Sequence, residues 1–553
     1  MNTTFLRICV YESQWYESVI KFLRKAFKDD GRVFDITKKE SDLADINNNY
    51  MKKGCFWCLV NEYNKVFGTI AIRKLDDGTH ELKRFFVSSK IQNLGYGTKL
   101  LNTVIYYSIQ NNIKILKGAV LERGKTIQHI HNKLGFTPTS RYNNSSADIF
   151  YKLELSPKYT YEFLLNRLYF QYNNTLILNP TENIFWDNIN YDKTTFMEGL
   201  YVSEIHKEES AKIIFGGRNE YIDFVYKIKE YWKRVLNAYD VDLKTLSGLN
   251  AHLILFLCIL QPNDVVMLLP EVCGGHYSTE AILRKIGAEI VLMEPDYSNY
   301  CVNQKKTEDL IEKYQPKYIF VDRSEGLVYE DFSWLSKYKN SFKIFDASQY
   351  ISHIITNEYI HPFDMGFDMI LSTLHKNYPG PQKGIICVSK NSHIWESYLK
   401  ESKTYISSTH PRNIATSILP LLDINAFKKY ADISKECHIR LEKELIQYGL
   451  PIIQPQIGFQ RTMHIWIKSV NNINIYNYYL KLEQLGILVN YRLLPYNLGH
   501  GLRIGITAAV RSGLRIAHIQ SLAKIMARAY YEDISPSLIK DTARLIKNIK
   551  SLL

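Results

Sequence analysis

Six short apolar segments between residues 265 and 390 constrain the fold more than any other feature of this 553-residue chain. Each is apolar almost throughout, and helical stretches separate most of them. Strands of this kind are buried on both faces of a mostly parallel sheet covered by helices. The segments are VVMLLP, EIVLME, YIFVD, FKIFD, MILSTLH and GIICVSK. We therefore predict an α/β domain whose ligands bind beyond the ends of its strands.

Two of these segments end beside charged residues that suit one chemistry. FKIFDASQY ends its strand on Asp346, and MILSTLHKNYPGPQKG ends its strand just before Lys376. A carboxylate can keep a pyridine nitrogen protonated, and a lysine amine can form a Schiff base with an aldehyde. The rigid Pro-Gly-Pro turn would fix the direction of the lysine, and His375 would line its approach. The pair indicates a pyridoxal phosphate site, with an ordinary strand-end acid and lysine as the alternative.

Further residues suit other parts of such a cofactor and its substrate. Ser247 and Gly248 in TLSGLNAHL open a helix whose first amide groups can hold a phosphate. His276 follows two glycines in PEVCGGHYS, where an imidazole can lie flat on a ring. Arg503 in LRIGITAAV presents a planar fork suited to the carboxylate of an amino acid.

Taken in order, these motifs resemble serine hydroxymethyltransferase, a fold-type I pyridoxal phosphate enzyme, over roughly residues 170 to 553. The shared segments are NPTEN, FMEGLY, FGG, LSGLNA, QPNDVVM, GGH, DASQ, STLHK and LRIG. The resemblance implies a role for each matching residue. These are Lys376 as the Schiff-base lysine, Asp346 at the ring nitrogen, His276 as the stacking ring, Ser247, Gly248, Gln349 and His375 at the cofactor, and Arg503 and Thr181 at the substrate.

The resemblance also implies a subunit arrangement and a change of substrate. Glu198 in FMEGLY matches a carboxylate that handles protons at the substrate hydroxyl and reaches into the neighbouring subunit, which implies a homodimer. Gln349, Phe215 and Gln382 stand where the family has a histidine, a tyrosine and an arginine. The connection VNYRLLPYNLGHG is shorter than the family loop that helps to enclose folate. We therefore expect intact cofactor chemistry without a folate site.

The first 155 residues show a separate mixed α/β pattern. In QNLGYGTKLLNTV a glycine-bearing turn leads from a strand into a helix, so backbone amides can bind a phosphate there. This Q-x-x-G-x-G turn, with the strand IKILKGAVLE and the helix KTIQHIHNKLGF after it, resembles the GNAT acetyltransferases. The resemblance implies that acetyl-CoA is bound through Gln92, Gly95, Tyr96, Gly97 and Thr98.

Two residues of this domain are candidates for the general acid and the general base. His131 holds the place, four residues before the glycine of the GF pair, where GNAT enzymes often have an acidic tyrosine. A histidine titrates near pH ~6.5 when unperturbed and can serve as a general acid, the alternative being a residue that caps a helix face. Glu81 begins the strand HELKRFFVSS, where some relatives have a base.

A Ser-Pro pair in LELSPKYTYE marks a domain boundary near residue 157. We predict a GNAT domain over residues 1–157 and a fold-type I transferase domain over residues 158–553, with a small α+β subdomain from about residue 430. With Glu198 and without folate, we expect aldol or retro-aldol chemistry, or aldehyde transfer, at an amino-acid Cα, coupled to N-acetylation. Decarboxylation or transamination remains an alternative, as does action on an amino group tethered to DNA or RNA.

Composition sets the remaining limits. The net charge of +13 fits either an AT-rich genome or an anionic partner, and no nucleic-acid-binding motif accompanies it. The most apolar run, LILFLCILQP, is shorter than the ~20 residues of a membrane span, and we expect a soluble, cytoplasmic protein. Cys55 and Cys58 lie three apart on a predicted strand and therefore face opposite ways, so we predict no metal site.

Overall fold

The computed structural model describes residues 6–61, 63–186, 191–202, 219–456, 460–470 and 473–551. The chain divides into two compact units, Met1–Asn173 and Asn174–Leu553. The last helix of the first unit, Pro157–Asn173, follows the Ser-Pro pair at which we placed the domain boundary. It stays with the first unit because the Tyr159 hydroxyl donates to the Leu134 carbonyl at 2.8 Å and because Tyr159 and Phe163 pack on that unit's core.

The first unit combines one sheet with helices on both faces. Its strands are β1 (Arg7–Val10), β2 (Gly54–Val60), β3 (Val66–Lys74), β4 (His80–Val87), β5 (Ile115–Val120), β6 (Thr137–Pro138) and β7 (Ile149–Glu154). Its helices are α1 (Tyr16–Asp29), α2 (Tyr96–Gln110), α3 (Lys125–Lys133) and α4 (Pro157–Asn173).

The sheet of the first unit has the strand order β1-β2-β3-β4-β5-β7-β6 in the residues described. Only β4 and β5 run parallel, and they pair at just two positions, His80 with Leu116 and Glu81 with Lys117. The two strands therefore separate beyond this point. Helix α1 packs on one face of the sheet and α2 on the other. Cys55 and Cys58 belong to the cores on opposite faces and are both unbridged, as the strand pattern predicts.

The second unit carries many more elements. Its strands are β8 (Leu176–Ile177), β9 (Asp240–Asp242), β10 (Val265–Leu268), β11 (Glu289–Leu292), β12 (Pro295–Asp296), β13 (Cys301–Val302), β14 (Tyr318–Val321), β15 (Phe342–Asp346), β16 (Met369–Thr373), β17 (Gly384–Val388), β18 (His464–Lys468), β19 (Ile487–Leu488), β20 (Asn490–Leu494) and β21 (Gly499–Gly505). Its helices are α5 (Asn219–Val235), α6 (Gly248–Ile259), α7 (Tyr277–Ile286), α8 (Gln304–Tyr314), α9 (Ile351–Ile355), α10 (His393–Tyr405), α11 (Pro411–Thr416), α12 (Ile424–Gln447), α13 (Ile475–Gln484), α14 (Thr507–Arg511), α15 (Ile516–Tyr531) and α16 (Pro536–Lys550).

The large sheet of the second unit follows the order β11-β10-β14-β15-β16-β17-β9. The first five strands of this order run parallel, β17 runs antiparallel to them, and β9, antiparallel to β17, has the direction of the first five. Neighbouring residues of one strand enter different cores, as Ile319 and Phe320 of β14 do, so the sheet is buried on both faces. The prediction of a mostly parallel, covered sheet is confirmed. Asp346 ends β15, and Lys376 follows the end of the adjacent strand β16 by three residues.

The chain then forms a smaller α+β region. Helix α12 begins at Ile424, close to the expected start of a C-terminal subdomain near residue 430. A three-stranded antiparallel sheet, β18-β21-β20, follows. Arg503 lies on β21, the central strand. In the part of the chain that the structure describes, no helix combines the length and apolar character needed to cross a membrane.

Candidate active site

Lys376 lies three residues beyond the end of β16, in the turn that leads to β17. The carbonyl of Lys376 accepts a hydrogen bond from Asn183 Nδ2 at 2.7 Å, so the NPTEN segment holds the backbone of the lysine. Burial lowers the pKa of the amine; Asp346 opposes this effect and Arg503 adds to it. An amine with a lowered pKa is more often unprotonated and nucleophilic.

Asp346 ends β15, and both of its carboxylate oxygens have partners. Oδ2 lies 2.8 Å from His252 Nε2, and Oδ1 accepts the Ser348 amide at 2.7 Å. Burial alone would raise the pKa of Asp346, but His252, Ser348 and Lys376 together hold it below its usual value. The carboxylate is thus ionised and oriented, and each oxygen keeps a lone pair for another donor.

The start of α6 forms a cradle beside this strand end. Ser247 caps the helix, and its hydroxyl accepts the Asn250 amide at 3.2 Å. A Cβ atom on Gly248 would lie 3.2 Å from Thr373 Cβ. The glycine therefore permits a close approach to β16, and the first amides of α6 have no acceptor within the helix. An anion can bind at this point.

Two histidines predicted at the cofactor are partly buried and neutral. His276 caps α7, and its ring centroid lies 5.8 Å from that of His252. His375 Nδ1 lies 2.8 Å from Thr373 Oγ1. Burial lowers the pKa of each to about 4. Neither imidazole carries a charge near pH 7, which suits a ring that stacks on a flat ligand.

Gln349 contributes a buried amide to the same region. Its Oε1 lies 3.2 Å from His464 Nε2. Its Nε2 atom is buried and has no hydrogen-bond partner among the residues described. A buried donor of this kind requires an acceptor, so Gln349 can donate to an oxygen of a bound ligand.

Arg503 is 2% exposed and lies beside a second arginine and a buried carboxylate. Its Nη1 donates to the Ser324 carbonyl at 3.3 Å and lies 3.7 Å from Glu325 Oε1. Arg492 forms an ion pair with the same Glu325. Because Arg492 neutralises Glu325, the positive charge of Arg503 remains available to a ligand. The buried Nε atom of Arg503 has no hydrogen-bond partner within the described ranges.

The remaining predicted residues of this unit lie outside that buried group. Glu198 is 59% exposed and forms an ion pair with Arg412. The Thr181 hydroxyl donates to Asn179 Oδ1 at 2.8 Å in the NPTEN segment. Phe215 lies outside the described residues. Sequence reasoning missed His252 and Asn183, although His252 stands four residues after Gly248 and therefore on the same face of α6.

In the first unit, the glycine-bearing turn leads into α2 as predicted. Gly95 caps the helix with φ of 81°, a conformation that glycine adopts without strain. No atom lies within 4 Å of a Cβ placed on Gly95, whereas one on Gly97 would lie 3.1 Å from Ile130 Cδ1. Gly97 therefore permits α2 to pack on α3. Gln92 Nε2 donates to the Val87 carbonyl at 3.2 Å, which ties the turn to the end of β4. Tyr96 and Thr98 lie in the first turn of α2.

The two residues expected to handle protons in this unit are both buried. Glu81 forms an ion pair with Arg73 at 3.2 Å and accepts a hydrogen bond from Asn143. His131 is 2% exposed, and its ring packs 4.6 Å from Phe136. Neither nitrogen of His131 has a hydrogen-bond partner in the residues described, and burial lowers its pKa to about 4. The roles of these two residues remain predictions.

Two family models match separate parts of the chain. The acetyltransferase (GNAT) family matches residues 20–136, and serine hydroxymethyltransferase matches residues 181–526. The serine hydroxymethyltransferase of Metallosphaera sedula is 25% identical over 350 residues, which cover 60% of this chain and 80% of that protein. The enzyme of the same name from Pyrobaculum arsenaticum is 22% identical over 339 residues, covering 59% and 79%.

One solved structure is similar over most of its length. The crystal structure of L-threonine transaldolase from Pseudomonas fluorescens superposes with a TM-score of 0.65 at 18% identity. The match covers 70% of this chain and 92% of the other. The likeness shows a shared fold.

Proposed function

Because the chain belongs to the serine hydroxymethyltransferase family and carries an N-terminal GNAT acetyltransferase domain, we propose that it is a bifunctional enzyme with two coupled reactions. The first is folate-independent aldol, retro-aldol or aldehyde-transfer chemistry at the Cα of an amino acid. The second is acetyl-CoA-dependent N-acetylation. Pyridoxal phosphate is the cofactor of the first family, and acetyl-CoA is that of the second.

The observation that carries the proposal is the grouping of Lys376, Asp346 and Arg503. Their charges are close enough for Asp346 and Arg503 both to alter the pKa of the Lys376 amine. The three residues come from β15, the turn after β16, and β21, far apart in the chain. An amine, an ionised carboxylate and an arginine are the groups that an amino-acid-processing pyridoxal phosphate site requires.

The residues of this site would fit pyridoxal phosphate. The start of α6, with Ser247 and Gly248, would hold the phosphate, and Asp346 would hold the ring nitrogen. The unpartnered Gln349 Nε2 would donate to the ring oxygen, and the neutral His276 would stack on the ring. When bound, the cofactor supplies a positively charged ring that stabilises negative charge at Cα.

Arg503 determines which bond at Cα is placed for cleavage. Its planar fork would bind the substrate carboxylate in two hydrogen bonds and so fix the rotation about Cα. Glu325 Oε1 lies 3.7 Å from Arg503 Nη1. The ion pair with Arg492 neutralises the charge of Glu325. By its place in the NPTEN segment, whose Asn183 holds the Lys376 backbone, Thr181 would contact the substrate.

Glu198 would move the proton at the hydroxyl of a β-hydroxy amino acid. Its side chain is 59% exposed in its own subunit, which supports a role in the site of a second subunit. Three exposed leucines, Leu249, Leu253 and Leu257, form a stripe on one face of α6. An apolar stripe directly after the phosphate cradle supports a homodimer whose subunits meet beside the active sites.

The hairpin beside Arg503 supports the absence of folate. Strands β20 and β21 pair continuously from Asn490–Arg503 to Leu494–Gly499. The connection is thus a tight hairpin with only four residues between its strands. Arg492, on strand β20 of this hairpin, forms an ion pair with Glu325. The short hairpin leaves little chain to enclose a second, large cofactor.

The first unit supports the acetyl-transfer half. The separated ends of β4 and β5 and the turn before α2 provide the groove and the anion-binding helix start that acetyl-CoA requires. Covalent linkage of the two units suggests that the amine made or altered in one is acetylated in the other. Mass spectrometry of reactions with each unit's product offered to the other would contradict this coupling if neither product were accepted.

Borohydride reduction after incubation with pyridoxal phosphate tests the first half. We expect the pyridoxyl label on the peptide that contains Lys376. Lys383 is an internal comparison, because burial also lowers its pKa, to about 7, but its amine donates to the Lys244 and Thr409 carbonyls. Lys376→Ala should abolish the label, and the exposed control Lys390→Ala should retain it. A label on Lys383, or none, would contradict the proposal.

The reaction itself is tested by mass spectrometry with glycine or threonine and an aldehyde, in the presence and absence of tetrahydrofolate. We expect a β-hydroxy amino acid to form or split without folate. A reaction that proceeds only with folate, or one that releases carbon dioxide, would contradict the assignment.

A further inference from the structure

A chain of hydrogen bonds runs from Asp346 into the interior and ends on a second carboxylate. His252 Nε2 lies 2.8 Å from Asp346 Oδ2, and His252 Nδ1 lies 3.4 Å from Thr279 Oγ1. The Thr279 hydroxyl forms a hydrogen bond with Asp322 Oδ2. The three residues behind Asp346 are buried and come from three different elements, α6, α7 and the end of β14. No sequence motif pointed to Asp322.

The number of protons in this chain is fixed by its geometry. Each of its three contacts needs one proton between two heavy atoms. The Thr279 hydroxyl supplies one, and a neutral His252 with an ionised Asp322 supplies only one more. The third proton must therefore be carried by Asp322, as a carboxylic acid that donates to the Thr279 hydroxyl, which in turn donates to His252 Nδ1. This shared proton joins Asp322 to His252 across the Thr279 hydroxyl.

The shared proton can be lost near neutral pH. The pKa of Asp322 is raised to about 7, chiefly by burial, with His252 and Thr279 opposing and Asp346 adding to the increase. Lys376 and His276 are the other titratable groups that face this region. Once the proton is lost, the lone pairs of His252 Nδ1 and Thr279 Oγ1 face each other, and the contact becomes repulsive.

We propose that Asp322 is a positioning residue for the cofactor: through Thr279 it holds the His252 ring in place against Asp346. The inference rests on the proposed function, because it takes Asp346 as the partner of the cofactor's ring nitrogen. Loss of the shared proton breaks the His252–Thr279 contact, so His252 keeps its Nε2–H bond to Asp346 but is less firmly oriented against it. The affinity for the cofactor ring then falls as pH rises through about 7.

The test measures binding of pyridoxine 5′-phosphate, the alcohol form of the cofactor, by quenching of protein fluorescence across neutral pH. This probe has no aldehyde, so Lys376 cannot bond to it. For the wild-type protein we expect Kd to rise on the order of tenfold as pH increases past about 7, a size typical of coupling within one hydrogen-bond network. Asp322→Asn should remove this pH dependence, because an asparagine amide offers Thr279 a donor that does not titrate.

Two further variants separate positioning from folding. Asp322→Leu and Thr279→Val cannot complete the chain, and we expect each to bind the probe on the order of tenfold more weakly at every pH. Asp331→Asn, an exposed acid of the same unit, is the control and should match the wild type. Melting temperature and circular dichroism of each variant without the probe report on folding.

The outcomes distinguish the inference from the function on which it rests. If Asp322→Asn keeps the wild-type pH profile, or Thr279→Val folds and binds like the wild type, Asp322 has no positioning role although the proposed function stands. If the wild type fails to bind pyridoxine 5′-phosphate and takes no label on Lys376, the proposed function is overturned and the inference with it.

Discussion

At the scale of single residues, the two histidines that we predict at the cofactor carry no charge. His276 and His375 both have a pKa lowered to about 4 by burial. Asp346 remains ionised because His252 and Ser348 offset its burial. We therefore assign recognition of an anionic substrate to Arg503, since Arg492 is paired with Glu325. The burial and the partners of each residue therefore determine whether it carries a charge.

Replacing Arg503 with lysine tests this assignment. Arg503→Lys keeps the charge but loses the planar fork, so we expect kcat/KM for the amino acid to fall by about 10- to 100-fold, the cost of a hydrogen bond to a charged group. The visible absorption of the bound cofactor should be unchanged, because Arg503 does not hold it. Steady-state kinetics and absorption spectra measure the two effects. Loss of the absorption band would instead assign Arg503 to the cofactor.

The buried His131 predicts acid sensitivity of the first unit. Its pKa of about 4 lies below the unperturbed value of 6.5, so the unfolded chain binds its proton first as pH falls. Stability is fully present above pH 6.5 and decreases as pH falls to about 4, by about 3 kcal/mol for this group. Urea unfolding at several pH values measures the slope. His131→Phe should flatten it, and an unchanged slope would show that His131 is accessible to protons in the fold.

At the scale of elements, α6 combines several tasks in twelve residues. We assign the anion cradle to its first turn, His252 contacts Asp346, and Leu249, Leu253 and Leu257 form an exposed stripe. A helix can do this because residues three or four apart share a face, while its N-terminal amides point along the axis. The helix thus links cofactor binding to the surface that we assign to the dimer.

Gly248→Val tests the cradle. A Cβ at this position would lie 3.2 Å from Thr373 Cβ, so the branched side chain would push α6 away from β16 and cover the free amides. We expect the affinity for pyridoxal phosphate to fall at least tenfold while helix content changes little. Equilibrium dialysis and circular dichroism measure the two quantities. A variant that binds the cofactor normally would place the phosphate elsewhere.

At the scale of the whole molecule, the chain consists of two units with separate cores and separate chemistry. Each unit presents a helix start with free amides, at α2 and at α6. Because the candidate site residues of each unit lie within that unit, loss of one activity need not remove the other. We expect Lys376→Ala to abolish cofactor attachment but to leave acetyl-CoA binding, measured by calorimetry, unchanged.

The oligomeric state is the second prediction at this scale. Light scattering should give a mass about twice the 64.6 kDa of one chain. Leu253→Glu, in the α6 stripe, should shift the mass toward the monomer because a charge would be buried at the interface. Ile439→Glu, at an exposed position of α12, is the matched control. A monomeric wild type would remove the assignment of Glu198 to a neighbouring site.

The sequence by itself determined the class of each unit, because local patterns were sufficient. Apolar strands such as YIFVD can only be buried on both faces, and the turn that contains Gly95 and Gly97 leads directly into a helix. The Asp346 and Lys376 pair could likewise be predicted, since the carboxyl ends of adjacent parallel strands meet at one edge of the sheet.

Only the tertiary structure decided what surrounds these residues. Asp322, Thr279 and His252 lie on different elements and come together only when α6 and α7 pack on the sheet. The pairing of Arg492 with Glu325 and the burial of His131 also depend on contacts between distant segments. A sequence pattern reports the face on which a side chain lies, but partners and burial arise from packing between elements. Those contacts set the charge of each group and hence its chemistry.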